Sequence, residues 1–249
     1  MILDLTTSSV LLKIEPIDQL SEDDIYERFG RPVKDNLFRL TQSQDPNSAP
    51  EYVVESIDLG KSHPHMLTGD ITIIDFGVSF MADTPPADGI GTPAGYQAPE
   101  VLFGALPGKA SDMWALACTL YEIRAGSTLF AGDFGSDYEA LEEIVKTLGE
   151  LPEPLHEKWK EEYEPDEDLV AGSSSLADRI REIGAYDEES GPGPDHRLTI
   201  DLFEKPHTAA SEEESLLMKD LLENLLKFNP GERLSVNQIC EHPWFSFKT

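Results

Sequence analysis

The feature with the clearest chemistry is a carboxylate delivered at the end of a strand. Ile71-Thr72-Ile73-Ile74 is rich in side chains branched at Cβ, and Asp75-Phe76-Gly77 follows without a break. Such side chains pack well on a pleated surface, so the run predicts a short buried strand. That strand would hold the Asp75 carboxylate at a fixed point, with Gly77 as a hinge two residues on. An oxygen so placed suits Mg2+, which takes a carboxylate or two and fills its other positions with water and phosphate oxygens. Strands also end in Asp and Gly because both residues suit turns, so the tripeptide alone decides nothing.

Three further stretches lie downstream: Gly91-Thr92-Pro93-Ala94-Gly95-Tyr96-Gln97-Ala98-Pro99-Glu100, then Ser111-Asp112-Met113-Trp114-Ala115-Leu116-Ala117-Cys118, then Asn229-Pro230-Gly231-Glu232-Arg233-Leu234 ahead of His242-Pro243-Trp244-Phe245. In this order and spacing they resemble the Asp-Phe-Gly, Ala-Pro-Glu, Asp-x-Trp and late-Arg landmarks of eukaryotic protein kinases. The resemblance runs from about Leu3 to Phe245, and several motifs in register are far more specific than any one of them. It implies phosphoryl transfer from ATP, with Mg2+, to serine or threonine of a protein.

Upstream, Asp4-Leu5-Thr6-Thr7-Ser8-Ser9 leading into Val10-Leu11-Leu12 is similar to a kinase catalytic loop and the strand after it. On that resemblance Asp4 is the catalytic base, accepting the substrate hydroxyl proton. Ser9 and Asp75 hold the metal, Leu11 floors the adenine pocket and Ile74 lines it. Four residues depart from the pattern: Ser9 stands for Asn, Thr6 for Lys, Leu3 for Arg and Ile2 for His. Read without the resemblance, the segment is a polar loop before a strand. Upstream of it there is no glycine-rich phosphate loop, strand lysine or helix glutamate, and Gly191-Pro192-Gly193-Pro194 is too broken by proline to replace them.

The expected fold is therefore α+β and mainly helical, a kinase-like C-terminal (large) lobe lacking the N-terminal small lobe. Residues 1–14 would supply the catalytic loop and strand, 15–69 an insertion, 70–100 the activation segment, and 101–249 a helical lobe carrying an acidic insertion. The Phe-Gly-x-Pro and Ala-Pro-x-Tyr-Val-Val elements of the insertion resemble fungal relatives of the SR-protein kinases. Ser21 should cap a helix to Phe29, and 51–59 should be extended. The stretch 109–126 predicts a helix capped near Ser111 and apolar on nearly every face, Ile123 included, hence buried. Further helices are expected over 138–148, 212–228 and 235–240. The resemblance also implies a buried Glu100–Arg233 ion pair, Phe76 packed into the lobe, and Thr92 bonded to the catalytic Asp.

Charge sets this chain apart: 48 acidic residues against 19 basic give −29. Such a field repels nucleic acid and anionic membranes and attracts cations. Residues 150–168 crowd Glu and Asp around Trp159 and Tyr163, which reads either as a solvated helix or as a docking surface for Arg-rich peptides. Neither a signal peptide nor a membrane span is visible, and Cys118 and Cys240 suit free thiols in a reducing compartment. A cytoplasmic or nuclear monomer acting on protein substrates, Arg/Ser-rich ones among them, is the leading expectation. A non-catalytic kinase-like module that binds basic partners is the alternative.

Overall fold

The computed structural model describes residues 5–37, 50–57, 64–85, 91–130, 132, 135–163, 166, 168–184 and 208–247. Asp4, Leu3 and Ile2 lie outside the described residues, as does the Gly191–Pro194 stretch. The chain forms two compact units. One is Met1–Leu11, Thr72–Thr199 and Lys205–Thr249; the other is Leu12–Ile71 with Ile200–Glu204.

A two-stranded ribbon pairs β1 (Val10–Ile14) with β4 (Leu67–Ile73). The Ile74 N–H donates to the Ser9 carbonyl at 2.9 Å and the Glu15 N–H to that of Met66 at 2.8 Å, so the strands run antiparallel. In the second unit α1 (Glu22–Phe29) starts where the sequence said. The Ser21 hydroxyl accepts from the Asp24 N–H while the Asp24 carboxylate accepts from the Ser21 N–H, and Gly30 ends the helix at φ +78°. A second hairpin pairs β2 (Lys34–Asn36) with β3 (Tyr52–Val54), with Asp35 opposite Val53. Only the later strand falls in the predicted 51–59 stretch. Lys-Asp-Asn is a poor strand former, and its partner rather than its composition makes it one.

The core lies in the first unit. Here α2 (Pro99–Leu102) precedes the long α3 (Lys109–Ala125), and α4 (Asp137–Leu148), α5 (Leu155–Tyr163) and α6 (Leu176–Arg181) follow. The last helices are α7 (Glu212–Leu225) and α8 (Val236–Cys240). Trp114, Ala115, Ala117, Cys118 and Tyr121 of α3 are buried, and the Trp114 ring stacks on Phe130 with centroids 5.6 Å apart. From α7, Met218, Leu221, Leu222 and Leu225 are fully buried, each worth about 1.5–3 kcal/mol.

Two expectations for α3 are corrected. Its N-cap is Gly108, and Ser111 sits one turn in, where its hydroxyl accepts from the Gly108 N–H at 2.9 Å. Ile123 is exposed, so the helix keeps one open face. Among the described residues no helix is long and apolar enough to cross a membrane.

Candidate functional site

The site lies in the first unit, where a short 3-10 turn, Thr7–Ser9, feeds β1 and the end of β4 returns beside it. The backbone bond from Ile74 to Ser9 ties these chain segments together one residue before Asp75. The structure therefore brings Ser9 and Asp75, the two predicted metal ligands, to one end of the ribbon. Asp75 is exposed and has φ +61°, the one positive φ outside glycine among the described residues. Such a backbone costs of order 1 kcal/mol and persists only where its surroundings hold it. The strain falls on the very carboxylate the sequence singles out.

The turn is built from hydroxyls. Thr6 Oγ1 lies 2.7 Å from Ser8 Oγ and 3.4 Å from Ser9 Oγ, with Thr6 and Ser9 both buried. Thr7 turns outward instead. Its hydroxyl donates to Glu122 Oε2 of α3 at 3.0 Å and stands 3.2 Å from the Tyr96 hydroxyl, which donates to the same oxygen. Burial, reinforced by the Glu122 carboxylate, pushes the Tyr96 phenol well above its ordinary value, so it remains a donor at any physiological pH. Nothing local in the sequence marks this cluster, since its members come from three distant segments.

Tyr96 belongs to the segment that ends the predicted activation loop. The Gln97 amide holds that segment by donating to the Thr92 carbonyl at 2.6 Å. The Thr92 hydroxyl is buried and has no hydrogen-bond partner among the described residues. Its expected partner, Asp4, lies outside them.

Leu11 and Ile74, the predicted adenine-pocket residues, flank the site and are 43% and 39% exposed. Phe76 departs from expectation. It is 46% exposed rather than packed into the lobe, while its carbonyl accepts from the Ser79 N–H and hydroxyl. Trp159 departs in the opposite direction. It is 4% exposed, an inward face of α5, and so is no stacking platform for a peptide. Glu153, Glu157, Glu161, Glu162, Asp166 and Asp168 around it are exposed.

Elsewhere in the first unit, Arg233 donates to both Glu100 oxygens at 2.7 Å and to the carbonyls of Lys227 and Ala110 at 2.8 Å. A cavity of about 440 Å³ opens beside this pair, lined by Lys109, Asp112, Met113, Leu234, Ser235 and Val236 among others. It contains none of the predicted nucleotide residues.

A family model described as the protein kinase domain matches residues 61–245, taking in Asp75 and leaving the Asp4–Ser9 segment outside. The serine/threonine-protein kinase SKY1 of Saccharomyces cerevisiae is 26% identical over 219 residues, 84% of this chain and 27% of that protein. Cyclin-dependent kinase G-1 of Oryza sativa is 29% identical over 180 residues, 71% of this chain and 22% of that one. Cell division control protein 2 homolog 3 of Trypanosoma brucei is 33% identical over 152 residues, 61% of this chain and 39% of the relative. The matched regions thus span 22% to 39% of these relatives' own lengths.

Proposed function

The chain belongs to the protein kinase domain family, and on that premise we propose that it is the large lobe of a serine/threonine protein kinase, similar to the SR-protein kinases. The observation that carries this reading is the Ile74–Ser9 backbone bond, which sets Asp75 beside the predicted catalytic turn. Asp4 would take the substrate proton, and Leu11 and Ile74 would face the adenine of ATP. The donor set suits Mg2+. One exposed carboxylate is compatible with an ion that keeps several waters and binds phosphate oxygens, and the Ser9 hydroxyl, buried against Thr6, is the weaker candidate. Among the described residues there is no group of three His, Cys, Asp or Glu that would favour a metal caged by protein alone. When bound, the ion would neutralise phosphate charge, with Asp75 as its main protein ligand and Ser9 as a weaker one.

Leu11, Ile74, Phe76 and Val78 leave an apolar surface open on the first unit. This supports the reading that further protein, a small lobe, covers the nucleotide side. The exposed carboxylates of 153–168 and the −29 charge support Arg/Ser-rich protein substrates. A second reading, a kinase-like module that binds basic partners without catalysis, is favoured by one observation. Thr6 stands where the family has lysine, and its hydroxyl is spent on Ser8.

Phosphate transfer from ATP to an Arg/Ser-rich acceptor with Mg2+ present, lost in Asp75→Ala, is the expected result in a protein that contains this chain. Acceptor binding without transfer, unchanged by Asp75→Ala, would shift the assignment to the second reading.

A further inference from the structure

The hairpin of the second unit carries its apolar side chains outward. Asp35 of β2 stands opposite Val53 of β3. The Leu37 N–H donates to the Glu51 carbonyl and the Glu55 N–H to that of Val33, each at 3.0 Å. Residues two apart on a strand share a face, and so do residues directly opposed across the pair. Val33, Asp35, Leu37, Glu51, Val53 and Glu55 therefore lie on one face, where each cross-strand pair sets a carboxylate against an apolar side chain. All six are exposed, the apolar three by 46% to 59%.

The same register decides which backbone groups are spent. The three pairs of that face carry the bonds between the strands, so the N–H and C=O of Tyr52 and Val54 point away from β2. Among the described residues the sheet has two strands, and no third one pairs along that edge. The two edges differ in chemistry. β2 is Lys-Asp-Asn, charged as protected edges are, whereas β3 is Tyr-Val-Val, uncharged and built from strong strand formers. On the opposite face the Lys34 ammonium lies 4.1 Å from the centroid of the Tyr52 ring and steadies it. Two short strands make a marginal sheet in water, and a third strand is what stabilises one.

We propose that the β3 edge takes an extended segment of a partner protein as a third strand, with basic residues opposite Glu51 and Glu55 and an apolar residue opposite Val53. Tyr52 and Val54 supply the backbone bonds, and the alternating carboxylates and apolar side chains select the segment. A second copy of this chain fits worse. The register that pairs all three β3 residues with their counterparts sets Glu51 of each copy against Glu55 of the other, and like charges directly opposed destabilise a sheet. The surface uses no residue of the candidate site, so it stands whether or not the chain transfers phosphate.

The probe is an end-capped, dye-labelled peptide Lys-Tyr-Val-Thr-Lys, added to the protein containing this chain. Lysine is chosen because the acidic 153–168 face should favour arginine. Its controls are Glu-Tyr-Val-Thr-Glu and the lysine peptide N-methylated at the amides that would face β3. Two variants accompany them: Glu51→Gln with Glu55→Gln, and Val54→Pro, which removes an outward N–H that β2 does not use. Fluorescence anisotropy reads affinity, and backbone hydrogen exchange reads place. The lysine peptide should bind and slow exchange at residues 52–54. Each Gln should weaken it about two- to fivefold, as exposed ion pairs do. N-methylation and Val54→Pro should each weaken it about tenfold, the worth of one or two backbone bonds. Slow exchange at the Glu55 amide shows that the Val54→Pro hairpin is intact, and the N-methylated peptide decides the matter without any variant.

Equal affinity of the N-methylated and plain lysine peptides overturns strand addition, because charge alone would then hold them. Equal affinity of the lysine and glutamate peptides, or no binding of the lysine peptide, overturns the basic partner. A dimer that Val54→Pro dissociates would give the edge to a second copy and overturns it as well.

Discussion

Arg233 and Glu100 stand 133 residues apart in sequence and meet fork to fork, with Nη1 2.7 Å from Oε1 and Nη2 2.7 Å from Oε2. The guanidinium is 1% exposed, and its remaining donors go to the Lys227 and Ala110 carbonyls while its plane lies over the Trp114 ring. One side chain thereby joins the segment after Tyr96, the start of α3 and the turn before α8. Removing the carboxylate leaves a buried cation without its bidentate partner. Glu100→Ala should therefore cost about 3–5 kcal/mol in urea unfolding. Arg233→Lys should fall near the same loss, because an ammonium cannot supply the fork and the two carbonyl bonds together. A loss under about 1 kcal/mol, the size of an exposed pair, would mean that water enters the site.

Asp75 presents a trade between stability and chemistry. Its φ of +61° penalises any residue with a Cβ. Asp75→Ala keeps that penalty and loses the carboxylate, whereas Asp75→Gly relieves it. The glycine variant should be the more stable of the two by about 1 kcal/mol in urea unfolding, and both should be without phosphoryl transfer. Ser9→Ala should reduce transfer less than either, since it removes only a neutral ligand. A glycine variant no more stable than the alanine one would mean that the strain at Asp75 is not real.

How far the sequence reached depends on the range of each signal. The start of α1 was visible because capping is local: Ser21 stands one residue before it and bonds to Asp24 three positions on. Ser136 and Ser235 begin α4 and α8 with the same bond, a signal the sequence reading passed over. Asp75 was visible because strand-forming residues precede it, although the strand is not the short buried one expected: it runs Leu67–Ile73, and Ile71, Ile73 and Ile74 are exposed. The Thr7–Tyr96–Glu122 cluster was not visible, for no property of residue 7 points to residues 96 and 122. Around Trp159 the neighbouring carboxylates left a solvated helix and a docking surface both open, and neither reading placed its ring in the core. Its spacing from Leu155 and Tyr163, four residues each way, was the better signal, since such residues share one helix face. Phe76 was placed in the lobe by resemblance, and no local pattern around it could have shown that its ring stays exposed.

The two cysteines should separate cleanly in reactivity. Burial raises the Cys118 thiol far above its ordinary value, while Cys240 is exposed. A group raised in the fold contributes stability that is fully present below its unfolded value and declines as pH rises past it. For Cys118 that decline begins near the ordinary 9.0. Below that pH a thiol reagent should label one cysteine quickly and the second only after urea is added. In Cys118→Ala the stability should fall less steeply above pH 9 than in the unaltered protein. Rapid double labelling at neutral pH would show that α3 opens on the timescale of the reagent.

The exposed carboxylates of 153–168 should bind Arg-Ser peptides in preference to matched Lys-Ser peptides. Guanidinium offers two parallel donors to a carboxylate, and ammonium is a single point charge. With Trp159 buried, the preference must come from those forks and not from stacking on its ring. Binding should weaken as salt rises, because screening limits exposed charges to about 8 Å at physiological ionic strength. Two substitutions separate face from core. A combined Glu157→Gln and Glu161→Gln variant should lose affinity for Arg-Ser peptides at unchanged unfolding midpoint. Trp159→Ala should instead destabilise the fold by about 3–5 kcal/mol, the cost of emptying a large buried site. Titrating both peptides into each variant at two salt concentrations, beside urea unfolding, reads all of these effects. Equal affinity for Arg-Ser and Lys-Ser peptides at low salt would reduce the acidity to a solubilising surface.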